Sequence, residues 1–258
     1  MLLLFLSTES TVAASGEPPA CNDVRARFQI KQNQLNTRTL NFFLFDAADR
    51  GCISIAKELL SRGASISARD RSGNTAVARA ARHGETQFLG FLLDQGAVVD
   101  SINVHGSTAL LQAVVENRRR TTKLLLEHGA NPNSENKRKV TPLIAAAYNG
   151  NSLIVELLLD VGAQLGGIDA TGKGALVYSA AKGFSRVVEA LLDAGESANS
   201  RFSNSLTALM WASGHTNEVP SSDGVRTVSL LLARGANLIA RDDRGRTALM
   251  IAAQRGHK

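Results

Sequence analysis

Residues 167–174, GIDATGKG, are the part of this chain whose residue types and spacing come closest to a known chemical site. They have the Gly-x4-Gly-Lys spacing of a loop that cradles nucleotide phosphates with backbone N–H groups. Such a loop also requires Ser or Thr directly after the lysine to hold magnesium, and it must join a buried strand to a helix. Gly174 occupies that position. We therefore expect no nucleotide and no other cofactor here.

Histidine and serine residues form no predicted catalytic or metal site elsewhere in the sequence. No two of the five histidines have the spacing of a metal-binding helix, and His83 and His105 are expected at the surface. No serine lies in a Gly-x-Ser-x-Gly elbow. The chain is accordingly predicted not to be an enzyme, with no catalytic residue and no metal ligand.

The two cysteines, Cys21 and Cys52, are too few for a disulfide framework or a zinc site. Two interpretations stay open. In an exported protein they pair and tie the N-terminal segment to the helices that follow. Otherwise they are unpaired thiols, with Cys52 at the start of a helix.

The first residues resemble a secretory signal. Residues 1–14 combine a short apolar run with Val12 and Ala14 at the spacing that a signal peptidase recognises. They are predicted to be a signal peptide, followed by an N-terminal tail over residues 15–40, which places the protein in the periplasm or outside the cell. No basic residue precedes the apolar run. The alternative is therefore a disordered leader on a cytoplasmic protein.

Composition favours packed short helices. The chain is 44% hydrophobic but only 5% aromatic, and no stretch after the leader is long or apolar enough to span a membrane. Lys and Arg exceed Asp and Glu by 29 to 23. So small an excess does not by itself predict nucleic-acid binding.

Two sequence ladders show an internal repeat. Glycines that follow a Leu-Leu pair are separated by 33 residues four times and then by 40, namely Gly63, Gly96, Gly129, Gly162, Gly195 and Gly235. The second ladder keeps the same spacing, namely Thr75, Thr108, Thr141, Gly174, Thr207 and Thr247. A shared period over most of the chain predicts a solenoid of identical structural units.

Each period contains two short helical patterns joined by polar turns. In TPLIAAAYNG, Thr141 can N-cap a helix, Pro142 suits its first position, and Gly150 ends it. The following NSLIVELLLDVGA has leucines at helical spacing and stops at Gly162. Segments such as NSENKRKV suit a tight hairpin. The predicted unit is hairpin, helix, loop, helix.

These motifs resemble the ankyrin-repeat family, whose TPLH-x-AA pattern appears here as NTAVARAARHGE, VTPLIAAAYNGN and RTALMIAAQRGH. The resemblance covers residues 41–258 and implies an all-α ankyrin-repeat solenoid of helix-loop-helix units joined by hairpin-like turns. The expected repeats are 41–70, 71–103, 104–136, 137–169, 170–202, 203–242 and a partial one over 243–258.

Three departures from the pattern carry expectations. Repeat five has Gly174 in place of the capping threonine, at a cost of a few tenths of a kcal/mol. Repeat six carries seven extra residues, with Pro220 to Gly224 predicted as a solvated loop. The last helix is expected to leave Ala248, Leu249, Ile251 and Ala252 uncovered, so either the protein continues or this helix is an imperfect cap.

The resemblance implies partner binding through the hairpin tips and the exposed side of the inner helices. Carried over position by position, the predicted partner-binding residues are Arg71, Ser72, Asn74, Arg82, His83, His105, Ser107, Glu116, Lys137, Arg138, Val140, Tyr148, Asn149, Lys173 and Lys182. Tyr148 is the expected aromatic anchor. Phe202, Ser203 and Trp211 are later candidates, with Trp211 favoured as a core residue.

Two basic clusters are interpreted separately. Residues 118–120 are placed in the loop between helices and residues 137–139 on a hairpin tip, which lie at opposite edges of the solenoid. They form no single track for phosphates, so nucleic-acid binding is not expected.

The function predicted from the sequence is that of a monomeric protein-interaction module, for recognition or scaffolding, with an unidentified protein partner. The alternative is that the chain is the regulatory or targeting part of a longer protein whose catalytic domain lies beyond residue 258.

Overall fold

A computed structural model describes residues 17–31, 36–214 and 221–256. The predicted signal peptide and the first half of the inserted segment in repeat six lie outside these residues. Within these residues the regular secondary structure is helical, apart from one isolated β-bridge between Ile168 and Gly174. The predicted all-α ankyrin-repeat solenoid is confirmed.

Helices follow one another in pairs. An N-terminal helix, α1, covers Ala20–Ile30. The inner helices are α2 (Thr37–Arg50), α4 (Ala76–His83), α6 (Ala109–Val115), α8 (Pro142–Asn149), α10 (Ala175–Ala181), α12 (Ala208–Ser213) and α14 (Ala248–Arg255). The outer helices are α3 (Ile53–Ser61), α5 (Thr86–Asp94), α7 (Arg119–Glu127), α9 (Ser152–Asp160), α11 (Ser185–Asp193) and α13 (Ser221–Ala233). Each inner helix packs on the next inner helix and on its own outer partner.

The threonine ladder starts the inner helices. Each threonine hydroxyl accepts a hydrogen bond from the backbone N–H three residues on, in the pairs Thr75–Ala78, Thr108–Leu111, Thr141–Ile144, Thr207–Met210 and Thr247–Met250. This bond satisfies a backbone donor that the helix itself leaves unpaired. Gly174 makes no such bond, as the sequence predicts.

Alanines and leucines fill the core between neighbouring repeats. In α8, Ala146 and Ala147 are fully buried, and Leu158 of α9 is fully buried beside them. Small side chains on the inner helices let the next repeat approach closely, so the stack needs little aromatic mass.

The segment predicted as a tail contains α1 and the start of α2. Asn36 caps α2, its side-chain oxygen accepting from the Thr39 N–H at 2.9 Å, so the first inner helix begins before residue 41. Helix α1 buries Val24 and Phe28 against the first repeat, where the Phe28 and Phe43 rings meet edge to face with centroids 5.3 Å apart. It therefore acts as an N-terminal cap of the solenoid.

Cys21 of α1 and Cys52 before α3 form a disulfide bond, with Cα atoms 5.5 Å apart. Of the two interpretations left open by the sequence, the structure has the paired one. Polar contacts run beside it: the Arg25 guanidinium donates to the Ser54 hydroxyl at 2.6 Å, and that hydroxyl donates to Glu17 at 2.7 Å.

At the C-terminal end one sequence prediction is wrong and another holds only in part. Residues 221–224 lie in the first turn of α13 rather than in a solvated loop; Asp223 there is well placed against the helix dipole, and Gly224 is buried. Ala248 and Ile251 are buried because that side of α14 faces α12. Leu249, on the opposite side, is 76% exposed.

Gly174 cannot cap its helix, but its lack of a side chain leaves space that a neighbouring residue fills. A Cβ built on Gly174 would lie 2.8 Å from Cε1 of Phe202 and 2.9 Å from the carbonyl oxygen of Gly167. Phe202, predicted to be an exposed hairpin residue, is instead 8% exposed and occupies this space. Its turn lacks the Asp or Asn that holds the other hairpins, so the ring can fold inward.

We expect Gly174→Thr, which restores the consensus cap, to lower the free energy of unfolding by about 1–3 kcal/mol through overpacking. The double variant with Phe202→Ala should lose about 1 kcal/mol less than the sum of the losses in the two single variants, because the ring no longer opposes the new side chain. Urea denaturation of the four proteins measures this coupling, and additive costs would show that Phe202 is not the obstacle.

Candidate protein-binding surface

Side chains of Asp and Asn shape the hairpins that precede the inner helices. Where repeats three and four meet, Oδ1 of Asn136 accepts from the N–H of Arg138 at 2.9 Å and from the N–H of Val140 at 3.1 Å. The same pair of bonds recurs at Asp70, Asn103, Asp169 and Asp242. Sequence reasoning missed this ladder, although its Asp/Asn pattern recurs at the repeat spacing.

Neighbouring hairpins are joined by backbone hydrogen bonds. The N–H of Val104 donates to Ser72 O at 3.0 Å, that of Lys137 to His105 O at 2.9 Å, and that of Ala170 to Arg138 O at 2.9 Å. The tips therefore form a continuous row, which leaves the side chains of Ser72, His105, Lys137 and Arg138 exposed. The structure brings these predicted residues onto one edge.

The phosphate-loop-like segment is one of these hairpins. The Asp169 N–H donates to Lys173 O at 3.0 Å, and the Gly172 N–H donates back to Asp169 O at 2.9 Å. Gly172 has a φ of 75°, which glycine adopts without strain. The N–H groups of Asp169 and Gly172 are used within the turn and that of Ala170 by the neighbouring hairpin, so the segment has the geometry of a repeat hairpin.

Six of the predicted residues line one groove between repeats two and three, with a volume of about 280 Å³: Ser72, Asn74, Arg82, His105, Ser107 and Glu116. Arg82 Nε lies 3.4 Å from a carboxylate oxygen of Glu116, so opposite charges of adjacent repeats meet at its edge. Asn74 accepts from Asn103 Nδ2 at 3.0 Å. The amide oxygen of Asn74 is therefore used by the fold.

Arg71 and Ser72 line a larger groove of about 880 Å³ at the N-terminal end of this surface. Arg79 spans it, bound to Asp49 and, at 2.8 Å, to Asp70. Burial opposes the charge of Arg79, but its bonds to Asp49 and Asp70 raise its pKa overall. His83, at the end of α4, lies 3.5 Å from Asp49 and is exposed.

The predicted residues of repeats four and five differ in their exposure and in the bonds that they make within the fold. Tyr148 is 49% exposed, as predicted. Asn149 is half-buried and donates through Nδ2 to Val115 O at 3.0 Å, and Lys182 donates to Tyr148 O at 3.0 Å. Val140 is half-buried and packs on the core. Asn149, Lys182 and Val140 therefore contribute to the stack as well as lining the surface.

Lys173 and two aromatic residues complete the surface. Tyr178 was not among the predicted binding residues, and Trp211 was favoured as a core residue. Tyr178 and Trp211 occupy the same position in α10 and α12, four residues after Gly174 and Thr207. Both rings are half-buried, and the Lys173 ammonium lies 5.6 Å from the Tyr178 centroid and 5.1 Å from that of Trp211. Aligning the repeats would have placed both rings on this surface.

One basic cluster lies elsewhere than predicted. Arg119 and Arg120 are in the first turn of α7, not in a loop, because the chain reverses over only Glu116 to Arg118 with Asn117 at a φ of 56°. Asparagine tolerates this left-handed conformation. Arg118 donates to Arg82 O at 3.1 Å. Residues 137–139 occupy a hairpin tip, as predicted.

Comparison with family models agrees with this architecture. A model described as "Ankyrin repeats (3 copies)" matches residues 44–136, 121–202 and 143–221, and one described as "Ankyrin repeat" matches residues 204–243. The chain belongs to the ankyrin-repeat family. A comparison with curated proteins gives no significant match. Ankyrin repeats are protein–protein interaction modules and are generally non-catalytic. None of the described helices is long and apolar enough to cross a membrane.

Proposed function

We propose that this chain recognises or scaffolds a protein partner through the concave surface formed by its hairpin tips and the exposed side of its inner helices. The observation that carries the proposal is the continuous row of hairpins, joined by backbone hydrogen bonds from Ser72 to Ala170. A row fixed in this way presents its side chains with little ordering cost on binding.

The grooves along this row are open to solvent and carry charged side chains at their edges, which suits a macromolecular partner. A small-molecule site is usually a mostly apolar cavity that buries most of its ligand. Here the edges of the grooves carry charged side chains such as Arg71, Arg82 and Glu116. Charges of this kind give specificity and speed of association.

The test is affinity capture from extracts of the source organism with two baits, the chain itself and a Lys137→Ala/Arg138→Ala/Tyr148→Ala variant. Circular dichroism establishes that both are folded. We expect a protein that the first bait captures and the second loses. Equal capture by both baits would move the partner site away from these hairpins.

We further propose that the protein acts in an oxidising compartment, the periplasm or the exterior of the cell. The support is the Cys21–Cys52 disulfide, since such bonds persist where thiols are not kept reduced. Alkylation of the protein as it occurs in its source should label neither cysteine until a reductant is added. Labelling of both thiols without reductant would place the protein in a reducing compartment.

A further inference from the structure

Three successive inner helices place aromatic rings side by side on the concave surface. Tyr148 of α8, Tyr178 of α10 and Trp211 of α12 form this aromatic row. The Tyr148 and Tyr178 rings meet edge to face, with centroids 5.3 Å apart and planes at 78°. Tyr148 is half exposed, and the other two rings are half-buried.

Two lysine ammonium groups lie over these rings. Lys182 Nζ is 3.5 Å from the Tyr148 centroid, and Lys173 Nζ lies between the Tyr178 and Trp211 rings. Attraction to the ring faces holds each cation in place. Each ammonium has three donors, of which Lys182 gives one to Tyr148 O. Among the described residues, no carboxylate lies within ion-pair distance of either lysine.

The carboxylate that is bonded to a ring of the row serves the fold. Asp169 is 7% exposed; its Oδ2 accepts from the Tyr178 hydroxyl at 2.6 Å, and its Oδ1 accepts from Thr171 and Lys173 N–H groups. Burial would raise the pKa of Asp169, but these hydrogen bonds lower it overall. Asp169 therefore fixes the Tyr178 ring and stays directed into the hairpin.

Together these groups form a positively charged face with an apolar floor. Lys137 and Arg138 on the adjacent hairpin tip add two exposed cations. Neither nearby carboxylate on this part of the surface neutralises these four cations, since Asp169 is buried in its hairpin and Glu116 of the preceding repeat lies against Arg82. A ligand with carboxylates and at least one apolar side chain would satisfy both the cations and the exposed Tyr148 ring.

We propose that the aromatic row binds an acidic, extended segment of the protein partner, with carboxylates on Lys173 and Lys182 and an apolar side chain against Tyr148. This inference rests on the proposed function and names the chemistry of the partner. Lys173 precedes the seven-residue helix α10 and Lys182 follows it, so the two side chains start from opposite ends of a helix about 10 Å long. An extended chain advances about 3.3 Å per residue, so acidic residues at every third position match this separation.

Single-stranded nucleic acid is the competing ligand, because it also uses cations and aromatic rings. It binds by stacking bases on open ring faces. Here the Lys182 ammonium covers the Tyr148 face, and the Lys173 ammonium covers the space between Tyr178 and Trp211. Stacked bases would have to displace these cations, whereas carboxylates bind the cations where they lie and an apolar side chain needs only the part of Tyr148 that is still exposed.

Trp211 is the only tryptophan of the chain, so its fluorescence reports binding at this place. The probes are a labelled synthetic peptide with aspartate at every third position among leucine and serine, the same peptide with asparagine for aspartate, and oligouridine. We expect the aspartate peptide to change Trp211 emission and to bind at least about tenfold more tightly than the asparagine peptide. The asparagine peptide lacks the two charge-assisted bonds to the lysines.

The matched variants are Lys173→Gln/Lys182→Gln and Lys123→Gln, the last on the exposed outer helix α7. Peptide anisotropy is the second readout, since removing Lys173 also alters the surroundings of Trp211. The double variant should lose about tenfold or more in affinity, and Lys123→Gln should bind like the parent chain. Equal binding of both peptides, unchanged binding by the double variant, or tighter binding of oligouridine would overturn the proposal. If the captured partner still requires Lys137, Arg138 and Tyr148 in those cases, the proposed function stands without it.

Discussion

Replacing Glu196 with alanine will raise the free energy of unfolding by about 2–3 kcal/mol at a pH well above 7. Glu196 follows Gly195 at the end of α11, where the other repeats have alanine: Ala64, Ala97, Ala130, Ala163 and Ala236. Its side chain is 7% exposed, and neither carboxylate oxygen has a hydrogen-bond partner among the described residues. Burial raises the pKa of Glu196 from its ordinary 4.5 to about 7.

The sign of the pH dependence follows from proton binding. A carboxyl whose pKa is raised on folding holds its proton more tightly in the folded chain, so stability falls as pH rises from about 4.5 to about 7 and stays low above that. Denaturation across this range should show a downward slope for the parent chain that Glu196→Ala and Glu196→Gln both lack. Exposed Glu135→Ala is the control and should keep the slope. A parent chain without the slope would mean that this carboxylate reaches solvent.

Removing the disulfide will lower the free energy of unfolding by about 3–4 kcal/mol, because the bond closes a loop in the unfolded chain and so reduces the entropy of that state. The bond joins residues 31 positions apart and ties α1 to the first repeat. Cys21→Ser/Cys52→Ser should show this loss in urea. A reductant should lower the parent chain to the same stability and leave the double variant unchanged.

The position of the loss is also predicted. Each repeat contacts only its neighbours, so weakening α1 exposes the first repeat before the later ones. Hydrogen exchange should accelerate in α1 and α2, where Val24, Phe28 and Phe43 pack, and remain slow in α8 and α10. Uniform acceleration along the chain would show that the solenoid unfolds as one unit and that α1 is not a local cap.

The repeat spacing was enough to predict the helices because each repeat makes the same local bonds. The threonine ladder predicted the N-caps, and the glycine ladder predicted the ends of the outer helices. Helix α1 could also be predicted, since Cys21, Val24 and Phe28 have helical spacing. Because this segment lies outside the repeats, it was predicted to be a tail.

Contacts between unlike positions could not be predicted in the same way. The inward turn of Phe202 depends on Gly174, which lies at the other end of repeat five, and no local pattern links them. The aromatic row was half predictable: aligned repeats place Tyr178 and Trp211 together, whereas the lysines over their rings follow from side-chain conformation. Glu196 stands out only once burial is known, because its sequence neighbourhood suggests an exposed turn.

The most direct test of the concave surface is the dissociation constant of the captured partner for three folded forms of the chain. One is the parent, one is Lys137→Ala/Arg138→Ala/Tyr148→Ala, and one is a matched outer-helix variant, Lys123→Ala/Arg186→Ala/Leu153→Ala, at exposed positions. Truncating contact residues in an interface centre should raise the constant by about a hundredfold or more in the first variant and leave it unchanged in the second. The reverse pattern would place the partner on the outer helices and contradict this account.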